Sequence, residues 1–106
     1  MRRANVLYKN DVAAELIQND TGDFVFTYVD DWFNNPSKPA VSLTLPKSQK
    51  VYTSKTLFPF FYNMLPEGTN KKVVCYQNRV DENDPFGILL TTAANDTIGA
   101  VTIEKI

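Results

Sequence analysis

The fold is decided by residues 57–68, whose sequence is Leu57-Phe58-Pro59-Phe60-Phe61-Tyr62-Asn63-Met64-Leu65-Pro66-Glu67-Gly68. Apolar side chains recur there at the spacing of one helix face, namely at Leu57, Phe60, Phe61 and Met64. The pattern predicts a helix over residues 57–65 that is buried over most of its circumference. Pro59 fits the first helical turn, where a missing N–H is tolerated, whereas Pro66 and Gly68 end the helix.

Short β-strand patterns lie on both sides of this helix. Stretches of alternating or β-branched residues bounded by turn residues occur at 3–9, 12–18, 24–29, 40–45 and 98–104. They predict five antiparallel strands, the first two joined by a tight turn at Asn10-Asp11. In the fourth strand, Val41, Leu43 and Leu45 alternate with hydroxyl side chains, so they are expected to share one buried face. The polar residues 47–55 are expected to form a mobile loop.

Two further helices are predicted in the second half of the chain. Residues 69–77 have helical character, with Val73, Val74 and Tyr76 contributing some apolar surface. Another helix begins at Asp84-Pro85, where the aspartate caps the helix and the proline occupies its first turn. The sequence therefore predicts an α+β fold: a single small domain over residues 1–106, with an antiparallel β-sheet or open barrel of about five strands covered by two to three short helices.

The composition excludes several classes of function. Eleven Lys and Arg against twelve Asp and Glu give a net charge of −1, so no basic field attracts nucleic acid. The chain has no histidine and one cysteine, Cys75, which disfavours metal clusters, disulfides and most acid–base catalysis. No stretch approaches the roughly 18 apolar residues of a membrane span, and the N-terminus lacks a secretory pattern. We expect a cytoplasmic protein without enzymatic activity, catalytic residues, bound metal or cofactor.

Charged residues that could suggest a site have simpler explanations. Acidic residues cluster in predicted turns, where turn formation and helix capping account for them. The sequence Asp84-Pro85-Phe86-Gly87 is superficially similar to the Asp-Phe-Gly metal motif of kinases, yet the other kinase motifs have no counterparts. Arg2 and Arg3 form a pair rather than a patch, so we interpret both as solvated surface charge.

Four blocks of the chain, in order and at compatible spacings, resemble segments of one known family. Residues 57–68 are similar to L-x-P-F-F-D-N-L-L-P-E-G, and residues 40–46 are similar to P-L-S-L-S-L-P. Residues 83–90 resemble a D-P-F-x-L-L helix start, and residues 95–103 resemble G-x-D-x-x-G-A-V, with Ala94 where glycine is usual. These are segments of the N-terminal subdomain of HipA-type toxin kinases, and the resemblance covers most of the chain.

The resemblance implies a function in a toxin–antitoxin system. In the HipA family this subdomain precedes a serine/threonine kinase and packs against it, and the chain looks like HipS, the separate small subunit of split HipBST-type systems. It implies a non-catalytic antitoxin that binds and neutralises a HipA- or HipT-like kinase, with a HipB-like helix-turn-helix protein in a ternary complex and no direct contact with nucleic acid or membrane. The alternative is a structural accessory subunit that completes the kinase or its HipB-type repressor complex without inhibiting it. A small enzyme is the third alternative.

The kinase-binding surface is predicted to combine the 47–55 loop with the start of the helix that follows. Its residues are Lys50, Val51, Tyr52, Lys55 and Phe58. A tyrosine flanked by lysines offers contact area at low entropic cost and positive charge for acidic groups around a nucleotide site. Trp32 and Phe33 are the next candidates, although we favour for Trp32 the role of covering the end of the core.

Overall fold

The protein forms an open antiparallel sheet with helices on one face. The computed structural model describes residues 1–92 and 100–106. Its elements in chain order are β1 (Arg2–Tyr8), β2 (Asp11–Gln18), β3 (Phe24–Tyr28), α1 (Asp30–Phe33), β4 (Val51–Ser54), α2 (Pro59–Tyr62), α3 (Gly68–Asn78), α4 (Pro85–Thr92) and β5 (Val101–Lys105). The sheet order is β4-β3-β2-β1-β5, so β4 and β5 are its edges. The α+β fold class predicted from the sequence is confirmed.

A two-residue turn joins β1 to β2 and sets their register. Lys9 and Asn10 have φ angles of 49° and 72°, which is the pair of left-handed conformations that type I′ hairpins require. Tyr8 is consequently paired with Asp11 across the hairpin. The predicted hairpin is confirmed, and its turn lies one residue earlier than expected because Asp11 takes part in the strand pairing.

One face of the sheet forms the core. Its buried side chains alternate along the strands and include Ala4, Val6, Leu16, Phe24, Phe26, Tyr28, Val101 and Ile103. Phe26 lies at the centre, with its ring centroid 4.9 Å from that of Tyr28 and 5.9 Å from that of Phe61 in α2. The apolar stretch that predicted a buried helix therefore supplies the ring that covers the middle of the sheet.

The fourth strand lies later in the chain than predicted. Residues 40–45 form turns, in which Val41 and Leu45 are buried but Leu43 is 99% exposed. The edge of the sheet beside β3 is occupied by β4, within the 47–55 segment. The predictions of a strand at 40–45 and a mobile loop at 47–55 are therefore wrong. Alternating apolar residues over so few positions are compatible with a strand and equally compatible with a loop in which two side chains point into the core.

Side-chain hydrogen bonds hold the connection between α1 and β4. The buried Tyr28 hydroxyl accepts a hydrogen bond from the Val41 N–H at 3.0 Å and donates one to the Leu45 carbonyl. The Lys47 ammonium donates to the Lys38 carbonyl at 2.8 Å. These bonds supply backbone partners that a strand would have found in a sheet.

The helices cover the core through few residues. α2 is shorter than the predicted helix, but Pro59 occupies its first turn and Phe61 is 0% exposed, as the pattern indicated. α4 begins at Pro85 as predicted, and Phe86 stacks on Phe24 with a centroid distance of 5.9 Å. The predicted start of the last strand at Ile98 lies outside the described residues, which resume at position 100.

Candidate partner-binding surface

The seven residues predicted for partner contact differ in exposure. They are Trp32, Phe33, Lys50, Val51, Tyr52, Lys55 and Phe58. Phe58 is only 7% exposed, and its ring centroid lies 6.4 Å from that of Phe61. Phe58 is therefore a core residue, and substituting it would test packing rather than binding.

Trp32 and Phe33 close one end of the core. Trp32 is 4% exposed, and its indole N–H donates to the Pro39 carbonyl at 2.8 Å. Its ring centroid lies 5.6 Å from that of Tyr8. Phe33 is half-buried, with its ring centroid 6.4 Å from that of Tyr28. These contacts agree with the covering role favoured for Trp32.

The outward-facing side of β4 is the exposed part of the predicted surface. Val51 is 42% exposed, and Thr53 and Lys55 are exposed beside it. We call these three residues the β4 edge. An edge strand also carries backbone groups that are not paired within the sheet. The β4 edge is thus an accessible strip with one apolar and one basic side chain.

Tyr52 and Lys50 are held by contacts within the domain. The Tyr52 ring faces the core, 6.3 Å from the Phe26 centroid, and its hydroxyl donates to the Pro46 carbonyl at 2.6 Å. The Lys50 ammonium forms an ion pair with Asp30. Partner contact by Tyr52 would therefore use the exposed part of a partly buried ring.

Arg2 links the first strand to the fourth helix. Its guanidinium donates two hydrogen bonds to the Asp84 carboxylate, at 2.8 and 2.7 Å, and its Nε donates to Gln18 at 3.0 Å. The guanidinium carbon also lies 5.1 Å from the Phe86 ring centroid. The interpretation of Arg2 as solvated surface charge is therefore wrong. Eighty-two positions separate Arg2 from Asp84, so no local sequence pattern could have linked them.

Asp84 also caps α4. Its carboxylate accepts a hydrogen bond from the Gly87 N–H at 3.2 Å. The hydrogen bonds from Arg2 lower the pKa of the Asp84 carboxyl, burial opposes that effect, and the Gly87 N–H adds to it. A β-carbon at position 87 would overlap the Asp84 carboxylate, so the absence of a side chain at Gly87 makes room for this cap.

A groove of about 670 Å³ lies beside this ion pair. It is bounded by the start of β1, the end of β5, the segment after α3 and one side of α4, and we call it the β1–α4 groove. Its lining includes Arg2, Arg79, Val80, Asp84, Leu90 and Lys105. The volume falls in the range of about 300–1,000 Å³ typical of ligand pockets, so the groove can admit several side chains. No local sequence pattern indicates the groove, because its walls come from both ends of the chain.

Arg79 follows α3 in a conformation unusual for arginine. Its φ is 55°, and the Val80 N–H donates to the Cys75 carbonyl at 2.9 Å. The Arg79 N–H reaches the Tyr76 carbonyl at 3.4 Å, which completes the Schellman pattern of a helix end. Glycine is the residue usually found at this position of that motif.

α3 contributes little to the core. Cys75 is its buried residue, whereas Val73 is 45% and Tyr76 is 87% exposed. The apolar surface that Val73 and Tyr76 were predicted to supply therefore lies largely outside the core. Val73 and Tyr76 lie three positions apart, so they are neighbours on the helix surface and form a second accessible apolar strip.

The described residues form neither a metal-ligand cluster nor a membrane-spanning helix. Within 1–92 and 100–106, no three metal-ligating side chains lie close enough to hold an ion. No helix in this part of the chain has both the length and the apolar character needed to cross a membrane.

Comparison with known proteins gives matches that cover at least 85% of the chain. The family model described as the HipA N-terminal domain matches residues 4–104. An uncharacterized protein of Haemophilus influenzae is 37% identical over 90 residues, covering 85% of this chain and 80% of that protein. The putative kinase Y4mE of Sinorhizobium fredii is 26% identical over 103 residues, covering 97% of this chain but 24% of that protein. The solved structure of the N-terminal domain of HipA toxin superposes with a TM-score of 0.75 and 30% identity, covering 100% of this chain and 93% of that one.

Proposed function

This chain belongs to the HipA N-terminal domain family, and from that premise we propose that it is a non-catalytic regulatory subunit that binds a HipA-like serine/threonine kinase and neutralises its toxicity. It acts in the cytoplasm by protein contact and needs no cofactor. A HipB-like helix-turn-helix protein would join the same complex. The observation that carries the proposal is that the match falls on the N-terminal domain of HipA, not on its catalytic part.

The sizes of the relatives support action as a separate subunit. The Haemophilus influenzae relative is matched over 80% of its length, so it is a protein of similar size. The chain spans only about a quarter of the putative kinase Y4mE. The same domain thus occurs both in a small protein and within a much longer one, which is the relation expected between a split subunit and a one-chain kinase.

Inhibition by contact requires preference for one state of the kinase. A subunit that binds active and inactive conformations equally leaves their populations unchanged, however tightly it binds. Moving a kinase from 99:1 active to 1:99 requires about 10⁴-fold tighter binding to the inactive state. The proposal therefore predicts that the affinity for the kinase depends on its nucleotide or phosphorylation state.

We assign part of the contact to the predicted surface, now limited to its accessible residues. Val51 and Lys55 of the β4 edge can meet a partner directly, and Lys50 and Tyr52 can contribute from beside them. Val51→Asp and Lys55→Glu should weaken binding because the first places a charge in an apolar contact and the second reverses a charge. Phe58→Ala would disturb the core instead of the contact surface, since Phe58 is buried.

Co-expression provides the test of the proposed function. Cells that produce the HipA-like kinase of the same organism should regain growth when wild-type protein is co-expressed, and the purified protein should reduce kinase autophosphorylation in proportion to its concentration. A complex that forms without restoring growth would instead support the accessory-subunit alternative. Absence of any complex between the purified proteins would remove both interpretations.

A further inference from the structure

We propose that the exposed side of α3 is a docking surface for the partner kinase, with Tyr76 as its main contact. The inference rests on the proposed function, because the kinase is the partner assigned there. Four exposed residues form this surface, and we call them the α3 stripe: Thr69, Lys72, Val73 and Tyr76. The stripe fits a kinase surface that offers an apolar groove with a carboxylate at its rim.

The rest of the domain gives α3 little support. Cys75 is the buried residue among the eleven of α3, whereas the shorter α4 buries Phe86, Ile88 and Leu89. Helices of fewer than about 12–15 residues are marginal in water by themselves, and packing supplies most of their stability in proteins. α3 therefore lacks the cover that a helix of its length needs, and a partner would supply it.

The side chains of the α3 stripe suit contact with another protein. Tyr76 is 87% exposed and Val73 is 45% exposed. The four residues of the stripe follow the spacing i, i+3, i+4, i+7, with which a helix binds in a groove. A tyrosine ring offers a large apolar area and a hydroxyl that can donate a hydrogen bond. Tyrosine is also enriched among the residues that dominate binding energy.

The charge of Lys72 specifies the partner further. Lys72 is exposed, and it has no ion-pair partner within 4.0 Å among residues 1–92 and 100–106. Its neighbours on the helix surface, three and four positions away, are Gly68, Thr69, Cys75 and Tyr76. None of them is acidic, so a carboxylate on the partner would meet an available cation beside an apolar surface.

A second copy of this chain fits the α3 stripe less well. Two stripes packed face to face would bring two Lys72 ammonium groups together, and α3 contains no acidic residue to separate them. Like charges placed opposite each other weaken an interface. The HipB-like protein is also a poorer occupant, because proteins that bind DNA carry clustered positive charge. We therefore assign the stripe to the kinase.

Photo-crosslinking tests the location directly. A photoreactive phenylalanine analogue is placed at Tyr76 and, as a control, at Asn78, which is exposed and lies about 160° around α3 from Tyr76. In the complex with the kinase and the HipB-like protein, position 76 should crosslink to the kinase and position 78 should not. A complex in which position 76 crosslinks to the HipB-like protein, or to nothing, would overturn the inference and leave the proposed function standing.

Hydrogen exchange tests whether the kinase covers α3. In the free protein the amides of α3 should exchange faster than those of α4, because one buried residue holds α3 and three hold α4. Kinase binding should slow exchange in α3 by about tenfold or more, and exchange in β2, the middle strand of the sheet, should change less. A complex in which α3 exchanges as fast as in the free protein would contradict the inference.

Variants of the apolar contacts separate binding from folding. Tyr76→Ala and Val73→Ala raise the helix propensity, so neither weakens α3 itself. Tyr76→Ala should weaken kinase binding about 30-fold, which is the effect of losing a dominant interface residue. Asn78→Ala is the matched control, because it also raises helix propensity at an exposed position of α3 and should bind like wild type.

The charge of Lys72 is tested by reversal and by retention. Lys72→Glu should weaken kinase binding about tenfold, and it should reduce the loss of affinity that added salt causes. Lys72→Arg keeps the positive charge and should bind like wild type. Equal affinities of the two variants would show that no carboxylate of the kinase meets this position.

The outcomes separate the inference from the function on which it rests. Tyr76→Ala and Lys72→Glu proteins that unfold at the wild-type temperature and bind the kinase with wild-type affinity would overturn the α3 stripe as a docking surface. The proposed function would then stand on the complex that the wild-type protein forms. If the wild-type protein forms no complex with the kinase, the proposed function fails and the inference fails with it.

Discussion

Tyr28 joins the long connection between α1 and β4 to the sheet. It is 0% exposed, and its hydroxyl both accepts from the Val41 N–H and donates to the Leu45 carbonyl. Burial raises the pKa of Tyr28, although the hydrogen bond from Val41 opposes that effect. The hydroxyl therefore stays protonated at neutral pH and remains able to donate.

Tyr28→Phe should lower the free energy of unfolding by about 1–3 kcal/mol, because the ring still packs while two buried backbone groups lose their partner. Urea unfolding followed by Trp32 fluorescence measures the change. Tyr62→Phe is the matched control, since Tyr62 is 54% exposed, and its effect should stay within about 0.5 kcal/mol. Equal effects of the two variants would contradict this role for Tyr28.

At the scale of elements, the ion pair between Arg2 and Asp84 connects the start of β1 to the start of α4. Asp84 accepts hydrogen bonds from the Arg2 guanidinium and from the Gly87 N–H, so one carboxylate closes a helix and ties it to a strand. The lowered pKa of Asp84 means that the folded state favours the ionised carboxylate more than the unfolded chain does. Its contribution to stability is complete above the ordinary pKa of 3.8 and is lost as pH falls through the lower folded value.

Two substitutions at Asp84 separate capping from charge. Asp84→Ala removes both and should lower the free energy of unfolding at pH 7 by about 1–2 kcal/mol. Asp84→Asn keeps a capping oxygen and should cost less, because asparagine caps helices as well as aspartate does. Urea titrations at several pH values should show the difference between wild type and Asp84→Asn narrowing below about pH 4. A difference that is constant with pH would show that the ion pair contributes nothing.

At the scale of the whole molecule, a single core joins the sheet to α2 and α4. Phe61 comes from α2 and Leu89 from α4, and both are 0% exposed within the same apolar cluster. A domain of this size has a total stability of about 5–15 kcal/mol, so one large buried side chain accounts for an appreciable share.

Phe61→Ala and Leu89→Ala should each lower the free energy of unfolding by about 2–5 kcal/mol. The melting temperature should fall by about 8 °C or more, which differential scanning calorimetry measures. Leu43→Ala is the control, because Leu43 is 99% exposed and its loss should leave the melting temperature nearly unchanged. A melting temperature of Phe61→Ala equal to that of wild type would mean that α2 does not cover the core.

The sequence by itself determined the features that depend on neighbouring residues. The hairpin turn, the β3 strand and the start of α4 at Pro85 follow from contiguous turn, β-branched and capping residues. The same holds for the family, since four ordered motifs predicted the domain that the family model and the solved structure match. Local backbone preference and side-chain periodicity are properties of short segments, so they can be recognised from the sequence alone.

The tertiary structure decided which segments meet. It placed β4 at Val51–Ser54 rather than at residues 40–45. In the earlier segment, the Val41 N–H and the Leu45 carbonyl form hydrogen bonds with the Tyr28 hydroxyl instead of with a neighbouring strand. It buried Phe58 and left Val51 exposed, although both belong to the predicted surface. It also brought Arg2 to Asp84 and so formed the wall of a groove. Each of these outcomes depends on a contact between residues that are distant in the sequence. The energy of such a contact comes from packing and hydrogen bonding in three dimensions, so it produces no periodic pattern in the sequence.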